Sequence, residues 1–181
     1  MRRFTTLFTL VAVVVFAGES TAQTRFSIEA GPLIPYGDFG DAVDASSWIG
    51  ARGEYQAMNS LGQVANLGIV VQAGYGDLEL SQDIEGASAS LFAIGAGIRV
   101  YSIALPFFLH GGLEYISSEL ELGDVDRSSD AFGPTLGAGF NFDLGAVFVE
   151  VEGRLHIGLG SDDDAVDPRF TTLTAALGLP F

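Results

Sequence analysis

The chain has 181 residues, 48% of them hydrophobic, and a formal charge of −15 built from 8 arginines, no lysine and 23 acidic residues. That hydrophobicity excludes a disordered chain, and that acidity excludes a nucleic-acid binder, which needs a basic stripe against the phosphates. With no cysteine there are no disulfides, no thiolate chemistry and no zinc site of the usual kind.

The N-terminus reads "MRRFTTLFTLVAVVVFAGESTAQ". Arg2 and Arg3 precede an apolar run from Leu7 to Ala17, and Ser20 and Ala22 are small residues suited to a cleavage site. The run falls short of the roughly 20 residues that cross a bilayer as a helix, so it predicts a signal peptide rather than an anchor. Residues 1–22 are therefore expected to be removed and 23–181 exported. Two arginines and one glutamate leave together, making the exported chain more acidic still. No later segment approaches about 18 uninterrupted apolar residues, so no membrane helix follows.

Apolar residues recur at period 2 through eight segments, approximately 25–34, 48–57, 64–75, 88–101, 105–116, 130–142, 146–159 and 169–181. In the fifth, Leu105, Phe107, Leu109, Leu113 and Tyr115 oppose Phe108, His110, Gly112 and Glu114. The seventh sets Val147, Val149, Val151, Leu155, Ile157 and Leu159 against Glu150, Glu152, Arg154 and His156. In the last, Leu173, Ala175, Leu177, Leu179 and Phe181 lie opposite Thr172, Thr174, Ala176 and Gly178. Short connections ("MNSLGQ", "SIA", "DLG") alternate with long acidic ones ("PYGDFGDAVDASS", "GDLELSQDIEGA", "SSELELGDVDRSS", "GSDDDAVDP"), and the long ones hold most of the acidic residues.

This pattern predicts an all-β, eight-stranded antiparallel up-and-down barrel, and alternation alone fits a soluble or a membrane barrel. The polar face is mostly Gly, Ala, Ser and Thr with a few charges, too sparsely charged for a soluble surface and small enough for a narrow lumen. The apolar face then meets lipid. Strands of about ten residues are long enough to cross the hydrocarbon layer when tilted, and closure leaves no unpaired edge there. Aromatic residues are expected in two rim bands, Tyr55, Phe107, Phe142, Phe148 and Phe181 near the short turns and Tyr75, Tyr115 and Phe132 near the long loops.

The leader, "GPLIPYGDFGDA" after the first strand, the alternating loop lengths and the terminal "LGLPF" together resemble the small eight-stranded outer-membrane β-barrel proteins, the OmpA/OmpX-like group and the broader outer-membrane β-barrel domain family. The resemblance spans essentially the whole exported chain. It implies a Gram-negative outer-membrane location, with lipid and lipopolysaccharide as surroundings and extracellular ligands contacted through the acidic loops. It also implies that Leu177, Leu179 and Phe181 form the C-terminal signal read by the barrel-assembly machinery. Pro180 departs from a regular strand end, because it lacks a backbone donor.

The inward-facing set predicted to form a lumen polar network is Glu29, Arg52, Glu54, Arg99, His110, Glu114, Glu150, Glu152, Arg154 and His156. Charges in so narrow a lumen must pair, with Arg52 beside Glu29 and Arg99 or Arg154 reaching Glu54, Glu114 or Glu150. A structural plug is the first reading of such a set, a narrow pore for ions or small solutes the second. A soluble lipocalin-like binding barrel is the third reading of the whole chain. No catalytic residues are predicted: "FFLHGGLEY" and "GRLHIGLGS" place no serine two residues from either histidine, and both histidines fall on the lumen side. Asp162, Asp163, Asp164 and Asp167 lack the spacing of a calcium loop and read as a solvated acidic loop. "GAGI" and "GAGF" lie within strands and open no helix, so no phosphate cradle, cofactor or metal is predicted.

Overall fold

The computed structural model describes residues 22–57, 61, 64–80, 87–122, 125–160 and 167–181. The expected leader, apart from Ala22, and the aspartates at 162–164 lie outside the described residues. Eight long strands follow one another: β1 (Ala22–Pro35), β2 (Val43–Ala57), β3 (Ala65–Leu80), β4 (Ala87–Ser102), β5 (Phe107–Leu122), β6 (Val125–Asp143), β7 (Phe148–Ile157) and β8 (Arg169–Pro180). A short helix, α1 (Asp38–Ala42), sits between β1 and β2. Each strand pairs antiparallel with its neighbours in sequence, and β8 pairs with β1 to close the barrel.

The stagger follows from the register. Starting at Thr24, the paired positions run Tyr55, Ile69, Ile98, Gly111, Leu136, Leu155 and Thr171 and return to β1 at Ile34, ten residues further along. With the usual rise per residue and strand spacing, a stagger of that size over eight strands tilts them by about 40° from the axis. A barrel of this size has a lumen just wide enough to be filled by side chains.

Alternation places the apolar set outside. Leu177 is 54% exposed and Leu136 56%, whereas Glu152 and Arg154 are each 1% exposed. The soluble-barrel reading needs the reverse arrangement. At the short-turn rim Phe142 and Phe181 face outward, and at the opposite rim Tyr75, Phe92 and Phe132 do. Phe148 is a correction to the expected girdle. It is 2% exposed and points into the lumen, because it shares the phase of Glu150 and Glu152 on β7.

The strands outrun their predicted ends at the long-loop side. β5 and β6 stay in register out to Leu122 and Val125, so most of the expected third acidic loop is a protruding hairpin. In "SSELEL" the leucines alternate with glutamates, so the period-2 signal continues where the charges had implied a loop. β3 likewise continues to Leu80. β7 breaks at Gly158 and resumes for Leu159–Gly160 against β6 without losing register. The break lies beside Pro134 on β6, which has no N–H to give the ladder.

Pro180 is tolerated for a related reason. Phe181 and Thr24 exchange both backbone hydrogen bonds, at 2.7 and 3.3 Å, so the residue before Phe181 directs its backbone toward β7 instead. There β7 has not yet begun, since its first residue, Phe148, pairs with Gly178.

Many of the 24 glycines make room inside. A Cβ on Gly137 would stand 2.7 Å from Glu152 Oε1, and one on Gly139 would stand 2.7 Å from the Phe108 ring. Each such glycine leaves space for a large side chain from the adjoining strand, which is how a narrow lumen holds long arginines and aromatic rings.

Candidate functional site: a charged lumen covered on the hairpin side

Inward positions two residues apart deliver the polar groups in columns: Arg25 and Glu29 on β1, Arg52 and Glu54 on β2, Arg99 and Tyr101 on β4, His110 and Glu114 on β5, Glu150, Glu152, Arg154 and His156 on β7, and Thr172 on β8. All are buried. Among the described residues, five buried carboxylates thus face four buried guanidiniums (Arg25, Arg52, Arg99, Arg154), with two histidines alongside.

Glu152 is the hub. Its Oε2 accepts from Arg154 Nη2 at 2.8 Å, from Arg52 Nη1 at 3.1 Å and from Arg99 Nη2, while its Oε1 meets His110 Nδ1 at 2.9 Å. Glu150 accepts from Arg99 Nη1 at 2.8 Å and from Arg52 Nη2, and lies 3.5 Å from Arg25 Nη1. Glu29 takes both terminal nitrogens of Arg154, at 3.2 and 3.0 Å, together with Arg52 at 3.2 Å and the Trp48 indole at 3.2 Å. These bonds tie β1, β2 and β4 to β7, so they brace the barrel across its lumen. Arg in this role suits the work, since its planar fork reaches two carboxylates at once.

The predicted partners are met in part. Arg52 does pair with Glu29, and Arg99 reaches Glu150 and, at 3.7 Å, Glu54. Arg154 is corrected: it pairs with Glu29 and Glu152, not with Glu54, Glu114 or Glu150. Glu114 pairs with His156 at 2.7 Å, and Glu54 accepts from the Tyr101 hydroxyl at 2.7 Å.

Several members escaped sequence reasoning. Arg25, Trp48, Tyr101, Asn141 and Thr172 share the inward phase, which was the available signal, but only Arg25 is charged and it opens its predicted strand. Arg25 donates to Asn141 Oδ1 at 2.6 Å and lies 3.6 Å over the Phe148 ring, and Arg99 lies 4.4 Å over Phe108. Cation–π contacts of this kind stabilise a guanidinium that has left water.

An apolar layer covers the charged one on the hairpin side. Toward the long hairpins the inward face changes to Leu33, Trp48, Leu78, Leu91, Ile116 and Phe170, with Phe39 of α1 packed on the same cluster. The lumen is therefore polar only through its middle and short-turn portions, a correction to the uniformly polar interior that the alternation implied. Just beyond β1, the Tyr36 hydroxyl donates to the His156 carbonyl at 3.3 Å. Burial holds its pKa above the ordinary tyrosine value against the pull of Arg169, so it remains a donor.

Thr172, His156 and Glu114 form a hydroxyl–imidazole–carboxylate row, with 3.1 Å from Nε2 to Oγ1. A nucleophile in such a row must meet its substrate. Thr172 is 0% exposed, and the Phe170 ring stacks on the imidazole at 4.2 Å. The row is a hydrogen-bond relay inside a packed core.

Neither a comparison with protein-family models nor one with curated proteins finds a match. Among solved structures, the attachment invasion locus protein Ail of Yersinia pestis superposes with a TM-score of 0.58 at 13% identity, covering 90% of this chain and 100% of Ail. Neisserial surface protein A gives 0.58 at 15% identity, covering 91% and 99%. A major outer-membrane protein of Thermus thermophilus gives 0.56 at 10%, covering 90% and 100%. The apolar exterior, the ten-residue stagger and these superpositions converge: the chain has the fold of the small eight-stranded outer-membrane β-barrel proteins.

Proposed function

We propose that the protein is a non-enzymatic component of the Gram-negative outer membrane. Its barrel is a plugged scaffold that presents acidic hairpins to the outside for structural or adhesive contacts. The supporting observation is the lumen, in which cross-braced ion pairs fill the middle and apolar side chains cover them on the hairpin side. A pore would need a hydrated path through both layers. Purified barrel in a planar lipid bilayer is expected to give no discrete conductance steps; stable openings would replace the plug with the narrow-pore reading.

One of the Ail structures holds the heparin analogue sucrose octasulfate, a polyanion. That ligand chemistry does not suit this chain, whose exposed hairpin residues include Asp77, Glu79, Glu119 and Asp130. Its surface partners are cationic or neutral. Binding to immobilised heparin at physiological salt would contradict this.

The last strand carries the proposed assembly signal. Leu177, Leu179 and Phe181 all face outward, and Phe181 completes the seam with Thr24. Deleting Phe181 removes an aromatic anchor and both seam bonds, so the heat-modifiable, membrane-inserted fraction in cells is expected to fall several-fold. An undiminished fraction would show that the assembly machinery reads something else.

A further inference from the structure

At the short-turn end, below the charged layer, the lumen widens into a cavity of about 420 Å³. Its lining includes Gln23, Arg25, Gln56, Tyr101, Asn141 and Asp143. Four primary amides line it, Gln23 on β1, Gln56 on β2, Asn66 on β3 and Asn141 on β6, and Gln23 stands directly across from Gln56 in the ladder.

The wall is built rather than incidental. Arg25 is held by Asn141, by Glu150 and by the Phe148 ring. Asn141 Oδ1 is committed to Arg25, which leaves its Nδ2 to donate. The 102–107 turn is tied down by Leu105 N–H to Ser102 Oγ at 3.2 Å and Asn141 N–H to the Pro106 carbonyl at 2.8 Å. Gln56 lines the cavity, the residue as a whole being 6% exposed. Primary amides carry both a donor and an acceptor, so an amide facing the cavity can pair with a second amide group.

We propose that this vestibule is a binding site for a small neutral ligand bearing secondary amides, the group shared by short peptides and N-acetylated amino sugars. Gln56 and Gln23 pair with the amide C=O and N–H, and Asn141 Nδ2 donates to a second carbonyl. The guanidinium is already compensated and Asp143 is acidic, so a free anion is disfavoured. The volume lies within the range of small-molecule sites. In the proposed membrane orientation the ligand comes from the periplasm, but recognition itself does not depend on whether the lumen is plugged.

The test is a titration of the full barrel in detergent micelles, followed by amide NMR shifts. The probes are N-acetyl-alanyl-alanine amide, N,N′-diacetylchitobiose, and cellobiose as a sugar without amides. Saturable shifts at the Gln23, Gln56 and Asn141 side-chain amides are expected with one or both amide probes and not with cellobiose. Which amide probe binds tells peptide from amino sugar. Gln56→Ala is expected to weaken binding about tenfold, the effect of losing one or two hydrogen bonds. Heat-modifiability confirms that the variant is folded, and Gln23→Ala serves if it is not. No saturable shift with either amide probe, equal shifts with cellobiose, or undiminished binding in a folded variant would each overturn the site.

Discussion

Arg154→Ala is expected to lower the unfolding free energy by about 3–5 kcal/mol, the range for breaking a buried ion pair from one side. Arg154 gives Glu29 two hydrogen bonds and Glu152 two more, from Nε at 3.2 Å and from Nη2 at 2.8 Å. Without it, five buried carboxylates would face three guanidiniums in a lumen with little water to solvate them. The count makes the prediction directional. Glu152→Gln leaves four carboxylates and four guanidiniums, so it should destabilise less, despite removing the charge at the hub. Combining the two changes should cost less than their sum, because Glu152→Gln removes one of the carboxylates that Arg154→Ala leaves without a guanidinium. Urea-unfolding midpoints in lipid vesicles measure all three, with the exposed Glu119→Ala as the variant that should not move. If Arg154→Ala unfolds at the wild-type midpoint, the lumen lattice does not hold the barrel together.

The second large effect is on the other face. Leu136 is 56% exposed, registers with Ile98 and Gly111, and lies midway along the outward apolar run of β6 between Phe132 and Phe142. Leu136→Arg is expected to cost about 2–4 kcal/mol in a bilayer, the figure for a guanidinium at the midplane of a lipid-facing barrel wall. On a soluble barrel the same change at an exposed site would fall within about 0.5 kcal/mol. Refolding into vesicles against denaturant separates these outcomes. Tolerance of Leu136→Arg would remove the lipid-facing assignment and return the soluble-barrel reading.

The two experiments probe opposite sides of one wall. Glu29 and Arg52 were legible as partners because they sit in the same phase on consecutive strands, where pairing is local. Phe148 lies near a rim, but its phase with Glu150 turns it inward. The acidic hairpin of β5 and β6 reads as a loop from its charge, although Leu120 and Leu122 alternate with Glu119 and Glu121 as in a strand. α1 is five residues long, too short for any helical periodicity to register.

From sequence alone came the strand count, closure and the sorting of inside from outside, since each depends on alternation and loop length along the chain. Which charges meet across the lumen was settled only in three dimensions. Arg154 and Glu29 lie 125 residues apart, brought together by the stagger and the curvature of the wall. The same applies to the apolar cover formed by Leu33, Phe39, Trp48 and Phe170, and to the four amides of the vestibule. A period of two says which way a side chain points, but not how high it stands in a tilted barrel or what faces it from the opposite side.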